Sequence, residues 1–207
     1  MKQPLGVILA GGQARRMGGG DKGLLPLGGA RILDHVIERL DPQVAELALN
    51  ANGDATRFSE FGLPVIADSI EGFAGPLAGV LAGLDWAAKK GADHIVTAAA
   101  DTPFFPADLV PQLILAAETL GTPIALAATP DPKRGVARHP TFGLWPVALR
   151  DDLRAALSDG LRKVVLWTDR HGAGQALFPV AALDPFFNVN TAEDLALAEA
   201  YLKTGAA

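Results

Sequence analysis

The 207-residue sequence contains no cysteine. That excludes a disulfide framework, a thiolate zinc site, an iron–sulfur cluster and a cysteine nucleophile. Long apolar runs are also missing. Residues 75–88 are interrupted by Pro76, Asp85 and three glycines, and residues 110–129 by Glu118, Gly121 and Pro123. A membrane span, which needs about 20 consecutive apolar residues, is not expected. Positive charge is in deficit, with 18 Lys and Arg against 23 Asp and Glu and a net charge of −5. This argues against non-specific nucleic-acid binding but not against a small polyanionic ligand. With 49% hydrophobic residues the chain has enough apolar material for a core, so disorder is not expected. The run Leu5–Ala10 is too short for a signal-peptide core, and Arg15-Arg16 leads into polar, glycine-rich sequence rather than an apolar segment. No export signal is read, and the expected location is the cytoplasm.

What is present alternates. Leu5–Ala10, Val44–Leu49, Pro64–Ala67, His94–Ala100 and Ile124–Ala128 are short apolar runs that read as buried strands. Between them Ile32–Leu40, Pro76–Lys90 and Pro106–Leu120 have helical spacing, and Pro111 predicts either a late start or a kink in the last of these. Further on, 130–140 reads as a loop or hairpin rim. Thr141–Trp145 and Gln175–Val180 read as strands, Ala148–Leu157 and Arg162–Asp169 as helices, and Phe187–Asn190 as a last short strand. A capping box at Thr191-x-x-Asp194 opens the final helix. The alternation predicts an α/β, Rossmann-like three-layer fold, a mostly parallel sheet with helices on both faces. In such sheets ligands bind beyond the carboxyl ends of the strands. The residues placed there are Gly11-Gly12, Asn50, Asp68, Asp101 and Asn188/Asn190.

The most informative stretch is 9–23, LAGGQARRMGGGDKG. Glycines let backbone N–H groups approach anionic oxygens closely. Arg15 brings a bidentate fork and Lys22 a movable point charge. Fixed amide donors backed by cations are what a triphosphate requires. Two patterns are decoys. Gly18-x-Gly20-x-x-Gly23 matches a dinucleotide fingerprint but begins well after the strand it should follow, and no GxxxxGK[ST] is present. No GxSxG or Ser–His–Asp pattern offers a protein nucleophile, and the four histidines lack metal-ligand spacing.

LAGGxxRRMGGxDKGLLPL resembles the signature of molybdenum cofactor guanylyltransferases, within the nucleotidyltransferase superfamily. Asn50-Ala51-Asn52, Asp68-Ser69 with Gly75-Pro76-Leu77-Ala78-Gly79, Asp101-Thr102-Pro103, His139-Pro140-Thr141 and Asn188-Val189-Asn190-Thr191 are similar to that family's later motifs, in its order. The resemblance implies one nucleotidyltransferase domain over residues 1–207, with a nucleotide-binding half of about 1–130 and an acceptor-binding half of about 131–207. It implies transfer of GMP from GTP to the phosphate of Mo-molybdopterin, with release of pyrophosphate. Leu9, Ala10, Gly11 and Gly12 are then expected along the nucleotide, with Asn50 and Asp68 in contact with GTP. Arg15 and Lys22 would neutralise the triphosphate, and Asp101 would hold Mg²⁺. Asn188 and Asn190 are expected on the acceptor side, with Asn190 near the metal. A hard cation prefers carboxylate and phosphate oxygens, which suits Asp101 independently. Molybdoenzymes or their chaperones are implied as further partners, for delivery of the product.

Cytidylyltransferase relatives tend to LAAG and an acidic last motif, so LAGG and NVNT favour GTP over CTP. Intact Lys22 and Asp101 argue against a non-catalytic carrier, and DKGLLPL, HPT and NVNT against a sugar-phosphate enzyme. Trp145 and Trp167 are expected in packing rather than on a pterin. Lys133, Arg134 and Arg138 are expected in a solvated loop. Ala98-Ala99-Ala100, unusually small before Asp101, is expected to loosen packing there.

Overall fold

A computed structural model of the chain describes residues 1–11, 21–70, 72 and 75–204. Nine strands and six α-helices are found among them, with four short 3-10 helices between. The first strand, β1 (Leu5–Leu9), is followed by a small ribbon of β2 (Pro26–Leu27) and β3 (Ala30–Arg31), then α1 (Ile32–Leu40). Next come β4 (Leu47–Asn50), β5 (Val65–Ile66), α2 (Pro76–Lys89), β6 (His94–Ala99) and α3 (Leu109–Leu120). The chain continues through β7 (Ala125–Asp131), β8 (Gly135–Pro146), α4 (Arg150–Ser158), α5 (Val164–Arg170), β9 (Gly174–Leu177) and α6 (Ala192–Lys203).

Seven strands form one sheet in the order β5-β4-β1-β6-β8-β7-β9. Pairing is parallel except at β8, which runs against both β6 and β7. The predicted mostly parallel sheet is therefore present, with helices on both faces. Strand alternation divides the core. Ile8, Val96, Ala98, Ala125, Ala127, Phe142 and Leu144 face one way, toward α1 and α3. Leu5, Val7, Ile95, Leu126 and Trp145 face the other way, toward α2, α4 and α5. Trp145 and Trp167 are both core residues, stacked at 6.2 Å. Their indole N–H groups donate to Thr97 Oγ1 and to an Asp152 carboxylate oxygen, which satisfies the polar end of each ring.

Several expectations need correction. Phe187–Asn190 is not a strand. Its Val189 N–H donates to the Asp101 carbonyl at 2.8 Å, a single cross-link instead of a ladder. Residues 130–140 are mostly strand, because β7 and β8 extend into a long hairpin whose rim is Asp131–Gly135. Lys133 and Arg134 lie exposed on that rim, while Arg138 pairs with Asp169 at 2.5 Å. Pro111 produces the late start, α3 opening at Leu109. The β2–β3 ribbon was not anticipated. Its connection is Gly28-Gly29 with φ of +61° and +87°, the left-handed pair that a two-residue hairpin turn requires.

A third, smaller core brings the end of the chain back to its beginning. Leu27, Ile32, Phe104, Val189 and Ala198 are buried together, with Leu195, Tyr201 and Leu202 of α6 packed on them. Phe104 meets Tyr201 edge-on at 5.0 Å. This docking carries 188–190 across to the carboxyl ends of β1 and β6.

Candidate active site

The central parallel strands deliver their carboxyl ends side by side. At the end of β1, the Ala10 N–H donates to the Asn50 carbonyl at 2.9 Å, and the Leu9 carbonyl accepts from Ala100 N–H at 3.1 Å. Leu9–Gly11 thus runs between the Asn50 and Asp101 segments. Gly11 is exposed, with open space where a side chain would stand. Gly12 and Arg15 lie outside the described residues.

On one side of β1, Asn50 is only 4% exposed. Its amide N–H donors reach the Ile66 carbonyl at 3.1 Å and the Asp68 carboxylate at 3.0 Å. Asp68 is held a second time, by Asn52, whose amide donates to Oδ2 at 2.7 Å and accepts from the Asp68 N–H at 2.9 Å. The first glycines of α2 make room for this pair. A Cβ on Gly79 would overlap Asn50 Oδ1 and stand 2.8 Å from Leu9 Cδ2. One turn later, a Cβ on Gly83 would stand 2.8 Å from Ile95 and 2.9 Å from Val7. The GPLAG segment is therefore a packing requirement, letting α2 lie close on the sheet.

On the other side, the Lys22 ammonium donates to Asp101 Oδ2 at 3.3 Å and to Asn190 Oδ1. Lys22 and Asp101 keep 18% and 23% of their side-chain surface exposed, so the pair is sheltered yet reachable. Asn188 stands two residues before this contact, its Oδ1 accepting from Thr102 Oγ1. Gly23, next to Lys22, packs between α1 and the end of β6: a Cβ there would stand 3.3 Å from Leu33 Cβ and at ordinary contact, 3.5 Å, from Ala100 Cβ. The small residues before Asp101 thus do not loosen packing as expected. Ala98, Ala99 and Ala100 are buried, and Ala100 is the surface on which Gly23 lies.

The structure therefore joins Lys22 with Asp101 and Asn190, and Asn50 with Asp68. Asp101 and Asn190 are oxygen donors converging on a single cation, the donor chemistry a hard divalent ion also prefers. Among the described residues no group of three His, Cys, Asp or Glu side chains gathers. An ion here would depend on one carboxylate, with substrate oxygens completing its shell.

Sequence reasoning left His139 and Asn52 without a role and did not single out Arg57 or Phe186. His139 stacks on Phe186 at 4.3 Å, and its Nε2 lies 2.9 Å from Thr129 Oγ1. Phe186 also meets Phe142 and Phe178. The His-Pro-Thr segment thus holds the chain just before Asn188 and Asn190. Burial lowers the His139 pKa, opposed by Asp184. The aromatic identities at 142, 178 and 186 were visible, but nothing local indicated that they meet.

A family model, MobA-like NTP transferase domain, matches residues 6–173. The chain belongs to this family. It is 53% identical over 197 residues to a Bradyrhizobium protein, covering 94% of this chain and 91% of that one. It is 52% identical over 204 residues to a Mesorhizobium japonicum protein, covering 96% of each. Both relatives are named molybdenum cofactor guanylyltransferase. Among solved structures, the molybdopterin-guanine dinucleotide biosynthesis protein A of Archaeoglobus fulgidus superposes with a TM-score of 0.73 at 23% identity, over 97% of this chain and 99% of that one. A 4-diphosphocytidyl-2C-methyl-D-erythritol synthase from Anaerococcus prevotii reaches 0.75 at 14% identity, over 98% and 99%. These two likenesses concern the fold.

Proposed function

We propose that this chain transfers GMP from GTP to the phosphate of Mo-molybdopterin. An acceptor phosphate oxygen attacks the α-phosphorus of GTP, the bond to the β-bridging oxygen breaks, and pyrophosphate leaves with that electron pair. The observation that carries this reading is the meeting of Lys22, Asp101 and Asn190 at the carboxyl edge of the sheet, in a chain about half identical to guanylyltransferases along nearly its whole length. The acceptor is itself the nucleophile, so the protein's work is positioning and charge stabilisation.

Lys22 supplies positive charge to the phosphates, joined by Arg15. Asn50 and Asp68, fixed by their mutual hydrogen bond, contact the guanosine end, and Leu9–Gly12 lies along the nucleotide. Asp101 would hold Mg²⁺, with Asn190 beside it. The ion's contribution is to offset charge on the transferring phosphate oxygens. Asn188 and Asn190 face the acceptor. Residues 1–130 form the nucleotide half and 131–207 the acceptor half of one domain. No described helix is long and apolar enough to cross a membrane, and the reading places the enzyme in the cytoplasm. Product is handed to molybdoenzymes or their chaperones, because a labile cofactor is better transferred than released. A pull-down with apo-molybdoenzyme should retain the chain, and an empty pull-down would contradict that step.

The test is pyrophosphate release with GTP, CTP, ATP and UTP, each with and without Mo-molybdopterin. Release with GTP alone, and only with acceptor, is expected. Release with CTP would move the chain to cytidylyl transfer, and none with any nucleotide would overturn nucleotidyl transfer.

A further inference from the structure

The two polar groups flanking the end of β1 are joined by a residue that belongs to neither. Arg57 sits in the short helical segment Ala55–Phe61, between β4 and β5. Its Nε donates to Asp21 Oδ2 at 2.5 Å. Its two terminal nitrogens donate to the carbonyls of Asp54 and Asn52, the latter at 2.8 Å. The guanidinium lies over the Phe58 ring at 4.5 Å from its centroid, and Phe58 is buried. Each partner matters for its neighbour. Asp21 immediately precedes Lys22. Asn52 holds the Asp68 carboxylate, and Asp68 holds Asn50. A continuous polar path thus runs from the root of the glycine-rich loop to the Asn50–Asp68 pair.

We propose that Arg57 is a positioning residue for the nucleotide, fixing the separation between Lys22 at the phosphate end and Asn50–Asp68 at the nucleoside end. This rests on the nucleotidyl-transfer reading and adds to it a residue that touches no reacting atom. The planar fork is essential to the role. Three N–H directions from one rigid group reach three acceptors on two chain segments, which a lysine's point charge cannot reproduce. The link spans 36 residues of sequence, so no local element substitutes for it. The pair keeps 27% and 18% of its side-chain surfaces exposed, and ion pairs still in touch with water contribute only modestly to overall stability. Positioning, rather than folding, is where the loss of this one should register.

The test is a double-mutant cycle of Arg57→Ala and Asp21→Asn, with Arg57→Lys alongside. Nucleotide affinity is measured by calorimetry with each of the four NTPs and Mg²⁺, and Tm by thermal unfolding. Each single variant should bind GTP about tenfold more weakly with Tm nearly unchanged, and the double variant should be no weaker than either single one. Arg57→Lys should behave as Arg57→Ala. Losses that multiply to about a hundredfold would overturn the proposal. So would rescue by lysine, an unchanged affinity, or an affinity loss that merely tracks a fallen Tm. If the wild-type chain bound CTP instead of GTP, with the same non-additive pattern, the guanylyl reading would fail while the role of Arg57 stood.

Discussion

The two sides of the site are held in place by different balances of directed bonds and packing. On the proposed nucleotide side, Asn50, Asn52, Asp68, Asp21 and Arg57 are linked by directed hydrogen bonds, side chain to side chain except where Arg57 donates to the Asn52 backbone carbonyl. On the proposed acceptor side, the segment carrying Asn188 and Asn190 has no strand pairing; Thr102 and Lys22 donate to its two asparagines and Asp194 accepts from the Asn190 N–H, while its apolar residues are held by packing. His139, Phe142 and Phe178 surround Phe186, Val189 is buried against α6, and one backbone bond ties Val189 to Asp101. Directed bonds define geometry but add little net stability each. Buried rings add stability through the area they remove from water. The difference implies that substitutions on the nucleotide side change affinity with the fold intact, and those on the acceptor side change stability and turnover together.

The sharpest way to break that distinction is at the junction, where both sides meet on Asp101. Asp101→Ala should lower turnover with Mg²⁺ by about 100-fold or more while the circular dichroism spectrum stays native. Near-wild-type turnover would remove Asp101 from the chemistry. On the acceptor side, Phe186→Ala empties a site bounded by three rings and should cost about 3 kcal/mol, visible as a large fall in Tm with a fall in turnover. If Tm held while turnover fell, packing would not be what secures that segment. On the nucleotide side, Gly79→Ala drives a methyl group into Asn50 and Leu9. It should weaken GTP binding about tenfold, roughly 1.4 kcal/mol, with a smaller effect on Tm. An unchanged affinity would mean that Asn50 can yield without cost.

The smallest effect concerns pH. Burial holds His139 and His94 below the ordinary imidazole pKa in the folded chain. Asp184 opposes this at His139, and Asp93 at His94. Unfolded histidines protonate near pH 6.5, so below that the unfolded state takes up protons the folded state refuses. Their contribution is complete above about pH 7 and declines as pH falls through about 6. His139→Phe should flatten the fall in Tm between about pH 7 and pH 5. A slope identical to that of the wild type would show that His139 titrates normally.

How much of this was legible depended on whether the signal was local. β1, β6 and α2 are bounded within about a residue of expectation, because continuous apolar runs end at glycine, aspartate or lysine. Asn50, Asp68 and Asp101 were legible as polar residues past buried strands, and Lys22 from the glycine-rich loop before it. The strand over Phe187–Asn190 was a false reading, since β-prone residues there are buried by α6 rather than paired. The Gly28-Gly29 turn carried its signal openly between Leu27 and Ala30 but was passed over. Arg57 and Phe186 had no signal to find. Their partners lie far away in sequence, at Asp21 for one and at His139, Phe142 and Phe178 for the other, and only the folded topology brings them together.

In the proposed reaction the acceptor's own phosphate attacks the α-phosphorus of GTP while the protein supplies only position and charge. A single turnover with GTP labelled at the α-phosphate, in the presence of Mg²⁺ and Mo-molybdopterin, separates this route from one through a protein-bound nucleotide. The label should move entirely to the molybdopterin product, with an equal amount of unlabelled pyrophosphate and none on the protein. Label on the polypeptide, or released as free GMP at the rate of turnover, would contradict it.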